Sequence, residues 1–230
     1  MFSANDFIPL PYSHSIESGN FQWSSPSNIA LVKYWGKKDS QIPANPSVSF
    51  TLNHCKTITK LDFAKKENNR NFSFDLLFEG KPKEDFKPKI QQFFERVLVY
   101  LPFLKEYHFT IDTQNTFPHS SGIASSASGM AALSMNLMSL ENALNPEMTE
   151  DYFNQKASFL ARLGSGSACR SVKGEVVVWG NHNNIQGSSD LFGVEFPNRI
   201  HENFKNFQDT ILLVDKGEKQ VSSSIGHNLM

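Results

Sequence analysis

A run of small residues from Pro118 to Gly129 contains the residue types best suited to holding a ligand. It follows a predicted strand and leads into a predicted helix. Small side chains let backbone N–H groups approach a ligand closely, and a helix N-terminus adds unpaired donors and a positive dipole end. The hydroxyls of Ser125 and Ser126 add donors and could assist a Mg²⁺ that accompanies phosphates. The pattern fits a phosphate site and, equally well, a tightly packed helix start.

A second cluster, Arg162 to Ser171, crowds small polar residues around Arg170. The guanidinium of an arginine can form two parallel hydrogen bonds with a carboxylate or a phosphate. The sequence lacks a G-x-x-x-x-G-K-[ST] run and the H-R-D and D-F-G motifs of protein kinases. Gly164 to Gly166 begins like a dinucleotide fingerprint, but Cys169 stands at the third glycine position and a helix precedes it. A Walker-type NTPase, a protein kinase and a Rossmann domain are therefore disfavoured.

A third cluster, from Ser25 to Asp39, combines lysines with aromatic residues. In an extended chain Lys33, Trp35 and Lys37 would share one face, because side chains alternate along a strand. One lysine pair could then approach a single polyanion. The alternatives are ordinary: a lone lysine is usually a solvated surface charge, and Trp35 could simply pack in the core.

The elements that must position these clusters form a β-rich first half and a more helical second half. Apolar and polar residues alternate in the predicted strands, whereas apolar residues recur at helical spacing in the predicted helices. The order of strands, helices and again strands indicates an α+β fold. We predict strands from Ile29 towards Trp35 and at Val48–Leu52, Thr57–Phe63, Phe72–Leu76, His108–Thr113, Glu175–Trp179 and Thr210–Val214, helices at Ile90–Leu101, Gly122–Leu144 and Thr149–Leu163, and a charged loop at Lys81–Lys89.

Composition narrows the class of protein. With 230 residues, 39% of them hydrophobic and 20% charged, the chain can bury a substantial core. Its 22 basic and 23 acidic residues nearly cancel, so no global field would attract nucleic acid. No apolar run is long enough to span a membrane, and the N-terminus lacks the basic region of a signal peptide. Two cysteines, Cys55 and Cys169, form no disulfide framework, which favours a cytoplasmic location.

Taken together, the clusters resemble the motifs of the diphosphomevalonate decarboxylases, a family of the GHMP kinase superfamily. Asn28 to Asp39 matches the family's N-I-A-x-x-K-Y-W-G-K-[RK]-D, and Asn45 to Leu52 matches N-x-S-[IV]-S-x-T-L. Pro118 to Ala127 matches the superfamily phosphate loop, and Gly164 to Ser171 reads G-S-G-S-A-C-R-S without a mismatch. The first and last motifs are specific to the decarboxylases, and the resemblance extends from about Phe21 onward.

The resemblance implies an ATP- and Mg²⁺-dependent lyase of the mevalonate route to isoprenoids. Family members phosphorylate the tertiary 3-hydroxyl of mevalonate 5-diphosphate and then lose phosphate and CO₂, giving isopentenyl diphosphate. The phosphate ester is a good leaving group, and its departure draws electrons from the breaking carboxylate bond. The resemblance also implies a small-molecule substrate and a homodimer, with no nucleic-acid or membrane partner.

Individual site residues follow from the same resemblance. Catalytic roles fall on Lys33 and Arg170, and the latter would hold the substrate carboxylate. His119-Ser120-Ser121 replaces the family's Thr-Ala-Ala, which could alter nucleotide contacts. The implied substrate contacts are Asn28, Ala30, Tyr34, Lys37, Ser126, Ser165, Ser167 and Arg170, and the implied ATP phosphate contacts are Pro118, Gly122, Ala124, Ser125 and Ser126, with Ser125 also a candidate metal ligand.

The implied domain organisation is a ribosomal-protein-S5-like GHMP N-terminal domain at residues 21–200. An N-terminal extension at 1–20 would precede it, and 201–230 would begin a C-terminal GHMP domain. Val221 to Gly226 resembles a capped helix start close to the last residue of the sequence. We therefore expect the chain to be the N-terminal portion of the enzyme, with the C-terminal domain truncated.

One departure from the family bears on activity. The family's aspartate near the 3-hydroxyl lies in a glycine-containing turn, and no aspartate of this sequence has that context; those considered are Asp39, Asp112, Asp151, Asp190, Asp209 and Asp215. We therefore expect this chain alone to be inactive. The alternatives are a phosphomevalonate decarboxylase, a mevalonate 3-kinase, or a fragment that binds nucleotide without turnover.

Overall fold

A computed structural model describes residues 3–38, 41–68, 70–118 and 123–212. The strands are β1 (Ser18–Val32), β2 (Lys37–Lys38), β3 (Ile42–Pro43), β4 (Ser47–Lys65), β5 (Ser73–Phe78), β6 (Lys81–Pro82), β7 (Tyr107–Asn115), β8 (Val176–Trp179) and β9 (Val194–Glu195). The helices are α1 (Lys87–Val97), α2 (Ser125–Leu144) and α3 (Glu150–Gly164), with 3₁₀ turns at Ala4–Phe7, Glu84–Phe86, Pro102–Lys105, Gly166–Ser171 and Glu202–Phe204.

Within the described residues, seven strands form one mixed sheet in the order β6-β5-β7-β4-β8-β9, with β1 paired to β4. The pair β5 and β7 is parallel, and the other pairs are antiparallel. The strands β2 and β3 form a separate hairpin. The predicted α+β class is confirmed.

The central strand β4 joins two segments that the sequence predicts as separate strands, Val48–Leu52 and Thr57–Phe63. Its pairing with β1 shifts register between them: Pro26 faces Lys56, whereas Ser27 faces Leu52. Residues 53–55 therefore bulge out of the ladder. Bulges bend a strand and re-aim neighbouring side chains, and this one lies beside the Asn28 motif.

The helices cover one face of the sheet. The helix α2 lies against β1 and β4, α3 packs on α2, and α1 packs on α3. The Ala-, Leu- and Met-rich α2 is buried on nearly all sides, as expected of a helix without a polar face. The predicted start of α3 is confirmed, because the Thr149 hydroxyl caps it by accepting from the Tyr152 N–H at 3.3 Å.

Residues before β1 pack into this core. Phe7 is fully buried, and its ring stacks on Phe159 with centroids 4.5 Å apart. The Tyr107 hydroxyl donates to the carbonyl of Ile16 at 2.8 Å. The domain boundaries at residues 20 and 200 stay a prediction.

Several predicted boundaries are wrong. The strand β1 ends at Val32 instead of continuing to Trp35, because the chain leaves the sheet there to form a loop. The segment Lys81–Lys89 contains β6 and the start of α1, since Pro88 occupies the first turn of the helix, where its missing N–H costs nothing. The same helix ends at Val97, before the predicted Leu101, shortly ahead of Pro102.

Two predictions fall partly outside the described residues. Residues 210–212 are not in a strand, which corrects the first part of the predicted Thr210–Val214 strand, and its last two residues are not described. The long helix predicted from Gly122 begins at Ser125, and Gly122 itself lies outside the described residues. The residues 221–226 also lie outside them. None of the described helices has both the length and the apolar character needed to cross a membrane.

Candidate active site

The strand β1 brings two of the sequence motifs together. The Ser27 hydroxyl donates to the carbonyl of Ile123, immediately before the start of α2. Its neighbour Asn28 donates through Nδ2 to the Ser171 hydroxyl at 2.7 Å and to the Ser167 carbonyl at 3.1 Å. The phosphate-loop motif and the arginine cluster are thus tied to consecutive residues of one strand.

The Asn45-x-Ser47 motif completes the arrangement. The Asn45 side chain accepts from the Trp35 N–H at 2.7 Å and donates to the Lys33 carbonyl at 3.0 Å, so it clamps the loop after β1. The Ser47 hydroxyl accepts from Nη1 of Arg170 at 2.7 Å. All four motifs therefore meet at one place, although they are far apart in sequence.

Arg170 occupies the centre of this arrangement. Its side chain is only 3% exposed, and its guanidinium carbon lies 5.6 Å from the Tyr34 ring centroid and 5.9 Å from that of Trp179. Burial lowers the pKa of Arg170, but an arginine stays protonated in proteins. No carboxylate of the described residues forms an ion pair with it, and its buried Nε has no hydrogen-bond partner there. A buried cation of this kind is suited to bind an anion.

Lys37 and Gly166 line the approach to this arginine. The Lys37 ammonium lies 5.8 Å from the Tyr34 ring centroid, and desolvation, followed by the positive charge of Arg96, lowers its pKa. A Cβ atom on Gly166 would lie 3.0 Å from the Trp179 ring and 3.4 Å from Cε of Lys37. The glycine is therefore required by close packing, which the G-S-G-S-A-C-R-S motif does not reveal by itself.

The first turn of α2 forms the second half of the site. Ala124, which precedes it, adopts a left-handed conformation with φ of 52°, and no side chain of the described residues caps the helix. Ser125 is half-buried and Ser126 is exposed, so both lie within reach of a ligand. The N-terminus of a helix, with its backbone N–H groups and positive dipole end, is a suitable site for a phosphate group.

A cavity of about 160 Å³ adjoins this turn. One wall carries polar groups, the opposite wall is apolar, and Lys89 contributes a positive charge whose pKa burial lowers. The Thr57 hydroxyl donates to Oδ1 of Asn115 at 2.7 Å and lies 2.6 Å from the Ser128 hydroxyl, which links the cavity wall to α2. The polar lining comprises Thr57, Thr59, Thr113, Asn115, Ser125 and Ser126, and the apolar lining comprises Leu76, Phe78, Phe86, Ile90, Ile111, Met130 and Leu133.

The sequence analysis missed part of this site. Lys89 and Arg96 lie on one face of α1, about two turns apart; Lys89 lines the cavity beside α2, and the charge of Arg96 contributes to the lowered pKa of Lys37. Their spacing on an amphipathic helix was an available signal, but Lys89 was assigned to a loop. Thr57 and Asn115 gave no signal, because hydroxyl and amide residues are common in strands.

The other sequence-predicted residues lie around the same centre with different exposure. Lys33 and Pro118 are exposed, whereas Ala30, Ser165 and Ser167 are half-buried. Trp35 is 61% exposed, so the core alternative for it is wrong. Asp39 lies outside the described residues.

Acidic side chains contribute little to a metal site in the described part of the chain. Among the residues that the structure describes, no group of three or more histidines, cysteines or carboxylates could hold an ion. The α+β fold, with the α2 N-terminus beside a partly polar and partly apolar cavity, agrees with the GHMP kinase-type class that the motifs predict.

Comparison with known proteins identifies the family within this class. The family model of the diphosphomevalonate decarboxylase-like N-terminal domain matches residues 25–191. The chain belongs to this family. It is 32% identical over 219 residues to the diphosphomevalonate decarboxylase of Ganoderma lucidum, covering 88% of this chain and 51% of that protein.

Solved structures agree with this assignment. The mevalonate diphosphate decarboxylase from Enterococcus faecalis, at 32% identity, superposes with a TM-score of 0.59 over 79% of this chain and 52% of that one. A structure of MDDEF in complex with MVAPP, AMPPCP and magnesium gives a TM-score of 0.65 at 32% identity, over 92% of this chain and 59% of that one. The chain spans about half the length of the curated relatives that it matches.

Proposed function

We propose that this chain supplies the substrate- and nucleotide-binding half of an ATP-dependent mevalonate 5-diphosphate decarboxylase, which forms isopentenyl diphosphate. The observation that carries the proposal is the junction of two anion-binding features. The turn that carries the buried Arg170 is bonded to Asn28 of β1, and the segment that leads into α2 is bonded to the adjacent Ser27. The carboxylate of a substrate fits the buried arginine, and the phosphates of a second molecule bound beside it fit the α2 N-terminus.

In this proposal Arg170 holds the substrate carboxylate. Ser47 fixes one N–H of the guanidinium, while Tyr34 and Trp179 support it through their ring faces. Two parallel N–H donors that bind a carboxylate also fix the orientation of the C–C bond that breaks in decarboxylation. Asn28 lies at the reacting end, with its buried Oδ1 free of any partner among the described residues. Lys33 and Lys37 would then neutralise the remaining charge of the substrate.

ATP would occupy the α2 end of the site. The backbone N–H groups at the start of the helix, with the Ser125 and Ser126 hydroxyls, fit its phosphates. The adjoining cavity has a threonine-rich wall for polar groups and an apolar wall for a flat base. Mg²⁺ would reach the site on those phosphates, with the Ser125 hydroxyl as a candidate ligand from the chain.

The chemistry follows from this placement. ATP, when bound, supplies the phosphoryl group that turns the 3-hydroxyl into a leaving group. The residues of this chain position the two molecules and balance their charge, which is most of what phosphoryl transfer requires. The site is lined by rings and hydroxyls and has few strong nucleophiles, which suits the carbocation character expected when the leaving group departs. The unpaired thiols of Cys55 and Cys169 support the cytoplasmic location that we infer.

The first test is ligand binding by the 230-residue chain and its Arg170→Ala variant. We expect calorimetry to show binding of mevalonate 5-diphosphate that weakens about ten- to hundred-fold in the variant, because a charge-assisted bidentate contact is lost. Binding of a non-hydrolysable ATP analogue should be unchanged. Arg70→Ala, at an exposed position ahead of β5 and outside the four motifs, is the matched control. Equal affinity of the wild type and Arg170→Ala for mevalonate 5-diphosphate would contradict the role of Arg170 in binding the substrate.

A further inference from the structure

The long strand β1 leaves one of its edges open. Among the described residues, β4 is the only strand that pairs with it. The strands at the two ends of the sheet order, β6 and β9, are two residues long and carry Lys81, Pro82 and Glu195. Short length, charge and proline are the usual means by which proteins prevent unwanted pairing at a sheet edge. The strand β1 is neither short nor charged, since it has 15 residues and no charged residue lies between Glu17 and Lys33.

The pairing with β4 fixes which backbone groups of β1 point to the open edge. The N–H of Lys65 donates to the carbonyl of Glu17 at 2.7 Å, so this position faces β4. Along an antiparallel strand, residues whose N–H and C=O face the partner alternate with residues whose groups face away. Up to the register shift after Pro26, the even-numbered positions therefore direct their backbone groups away from β4. Four of them carry exposed, uncharged side chains: Ser18, Asn20, Gln22 and Ser24.

The odd-numbered positions of the same segment turn two aromatic rings towards the helices. Nε1 of Trp23 donates to the Ser139 hydroxyl of α2 at 2.7 Å, and the Phe21 ring stacks on that of Phe63 with centroids 5.7 Å apart. Both Trp23 and Phe21 are only half-buried. A strand added to the open edge would run alongside these rings and cover more of their apolar surface, which favours the addition.

The segment is complementary to a second copy of itself. An antiparallel pair about a two-fold axis at Phe21 places Asn20 opposite the partner's Gln22 and Ser18 opposite the partner's Ser24. This pairing forms about eight backbone hydrogen bonds across the two edges, two for each pair of residues whose groups face each other. No charged side chains oppose one another in it, because residues 18–24 are all uncharged.

Two features of the chain favour this register over its neighbours. An axis shifted to Gln22 would bring Pro26 into the ladder, and a proline has no N–H to donate. An axis shifted to Asn20 would bring in Ile16, whose carbonyl already accepts from the Tyr107 hydroxyl at 2.8 Å. The register centred between these two positions uses neither residue, so it matches the stretch of unpaired backbone groups.

We propose that two copies of this chain form a two-fold dimer in which the open edges of β1 pair antiparallel and the two sheets become one. Asn20 of each copy lies opposite the partner's Gln22. A second copy fits this edge because the segment is uncharged and complementary to itself, whereas a charged peptide would form no ion pair with it. The interface uses residues 18–24 and leaves the Ser27–Asn28 pair outside it, so it does not depend on the proposed function.

The oligomeric state of the 230-residue chain tests the proposal. We expect sedimentation equilibrium to show a dimer whose Kd rises about ten-fold or more in Gln22→Lys, because each copy then brings an ammonium group to the pairing edge. Gln22→Pro, which removes an N–H that β4 does not use, should weaken the dimer similarly. The matched control is Gln114→Lys, the same exchange at an exposed position on the same face of the sheet but on β7, and it should change the Kd less than two-fold.

Disulfide cross-linking tests the register. The double variant Asn20→Cys/Gln22→Cys should form a covalent dimer on oxidation, since the Cα atoms of a hydrogen-bonded pair lie about 5.5 Å apart. Each single variant should remain largely monomeric in a denaturing gel, because neither residue lies opposite itself. The wild type, which retains Cys55 and Cys169, gives the baseline.

Three results would overturn the interface or its register. A wild-type chain that stays monomeric at high micromolar concentration, or dimer affinities of both Gln22 variants within two-fold of the wild type, would overturn the interface. Cross-linking of a single variant as complete as that of the double variant would overturn the register. If the Gln22 variants do not fold, as judged by their thermal transitions, cross-linking of the double variant decides.

Discussion

At the scale of single residues, Arg170 shows how a motif acquires its chemistry from distant neighbours. Its type predicts a carboxylate or phosphate partner, yet its position between two aromatic rings depends on Tyr34 and Trp179. Its guanidinium donates a hydrogen bond to the hydroxyl of Ser47 on β4. A serine in a strand carries no sequence signal for this role, because its hydroxyl could face solvent or a backbone group.

Ser47→Ala tests how much that hydrogen bond stabilises the protein. Both Ser47 and Ser49 are fully buried on β4, but only Ser47 has a hydrogen-bond partner among the described residues. We expect Ser47→Ala to reduce the free energy of unfolding by about 1–3 kcal/mol, because a buried guanidinium N–H loses its acceptor. Urea denaturation measures the difference.

Ser49→Ala is the matched control. It removes a buried hydroxyl that bonds to nothing in the described part of the chain, so we expect it to be neutral or slightly stabilising. Equal losses of stability in the two variants would contradict the assigned role of Ser47.

At the scale of elements, the placement of α2 and α3 sets the distance between the two halves of the site. The first turn of α2 carries the candidate phosphate site, and α3 runs directly into the Gly166–Ser171 turn that carries Arg170. A buried ion pair joins the two helices: Nζ of Lys156 lies 2.5 Å from Oε1 of Glu141. The Tyr12 hydroxyl donates to the same carboxylate oxygen at 3.3 Å, which ties the N-terminal segment to both helices.

Lys156→Met should be strongly destabilising. Glu141 would be left buried without its cation, which typically costs about 3–5 kcal/mol, whereas the double variant Lys156→Met/Glu141→Leu should recover most of the loss. Chemical denaturation of the wild type, the single variant and the double variant measures these differences. A single variant as stable as the double would show that the pair does not join the helices.

We also predict how the stability of Lys156→Met changes with pH. Burial already raises the pKa of Glu141 despite Lys156, and removing the lysine raises it further. The folded state then binds more protons than the unfolded state, so its stability falls as pH rises above the carboxyl's unfolded pKa of about 4.3. Lys156→Met should therefore lose less stability at pH 5 than at pH 8, and a loss that is the same at both values would contradict this coupling.

At the scale of the whole molecule, the chain combines the mixed sheet with the site that we propose for two anionic ligands, and it spans about half the length of its curated relatives. The described carboxylates are placed elsewhere: none forms an ion pair with Arg170, and the buried Glu141 is held by Lys156 between α2 and α3. We therefore expect binding and proton transfer to be separable in this protein, with the described residues supplying the binding.

Turnover by the 230-residue chain alone tests this separation. We expect ATP-dependent CO₂ release from mevalonate 5-diphosphate at least about a hundred-fold slower than that of a full-length relative, because none of the described carboxylates, the side chains best suited to act as a general base, forms an ion pair with Arg170. The chain should still bind both ligands, which a parallel binding assay checks. CO₂ release at a comparable rate would require a general base among the residues of this chain and would contradict the proposed separation of binding from proton transfer.

The sequence by itself determined the class of fold, most elements and the residue types of the site. Alternation predicts the strands because one face of each must be buried, and the small-residue run predicts the α2 N-terminus because its backbone must be approachable. The sequence motifs also indicated the family, and the comparisons confirm it. The ends of β1 and α1 were misplaced, because ends depend on local contacts such as the Asn45 clamp.

Only the tertiary structure decided which residues act together. Hydrogen bonds between Ser27 and Ile123, and between Asn28 and the arginine cluster, join segments that are far apart in the chain. The positions of Lys89 and Arg96 likewise depend on how α1 packs on α3. Sequence spacing reports periodicity within one element, whereas the distance between charges on different elements is fixed by packing.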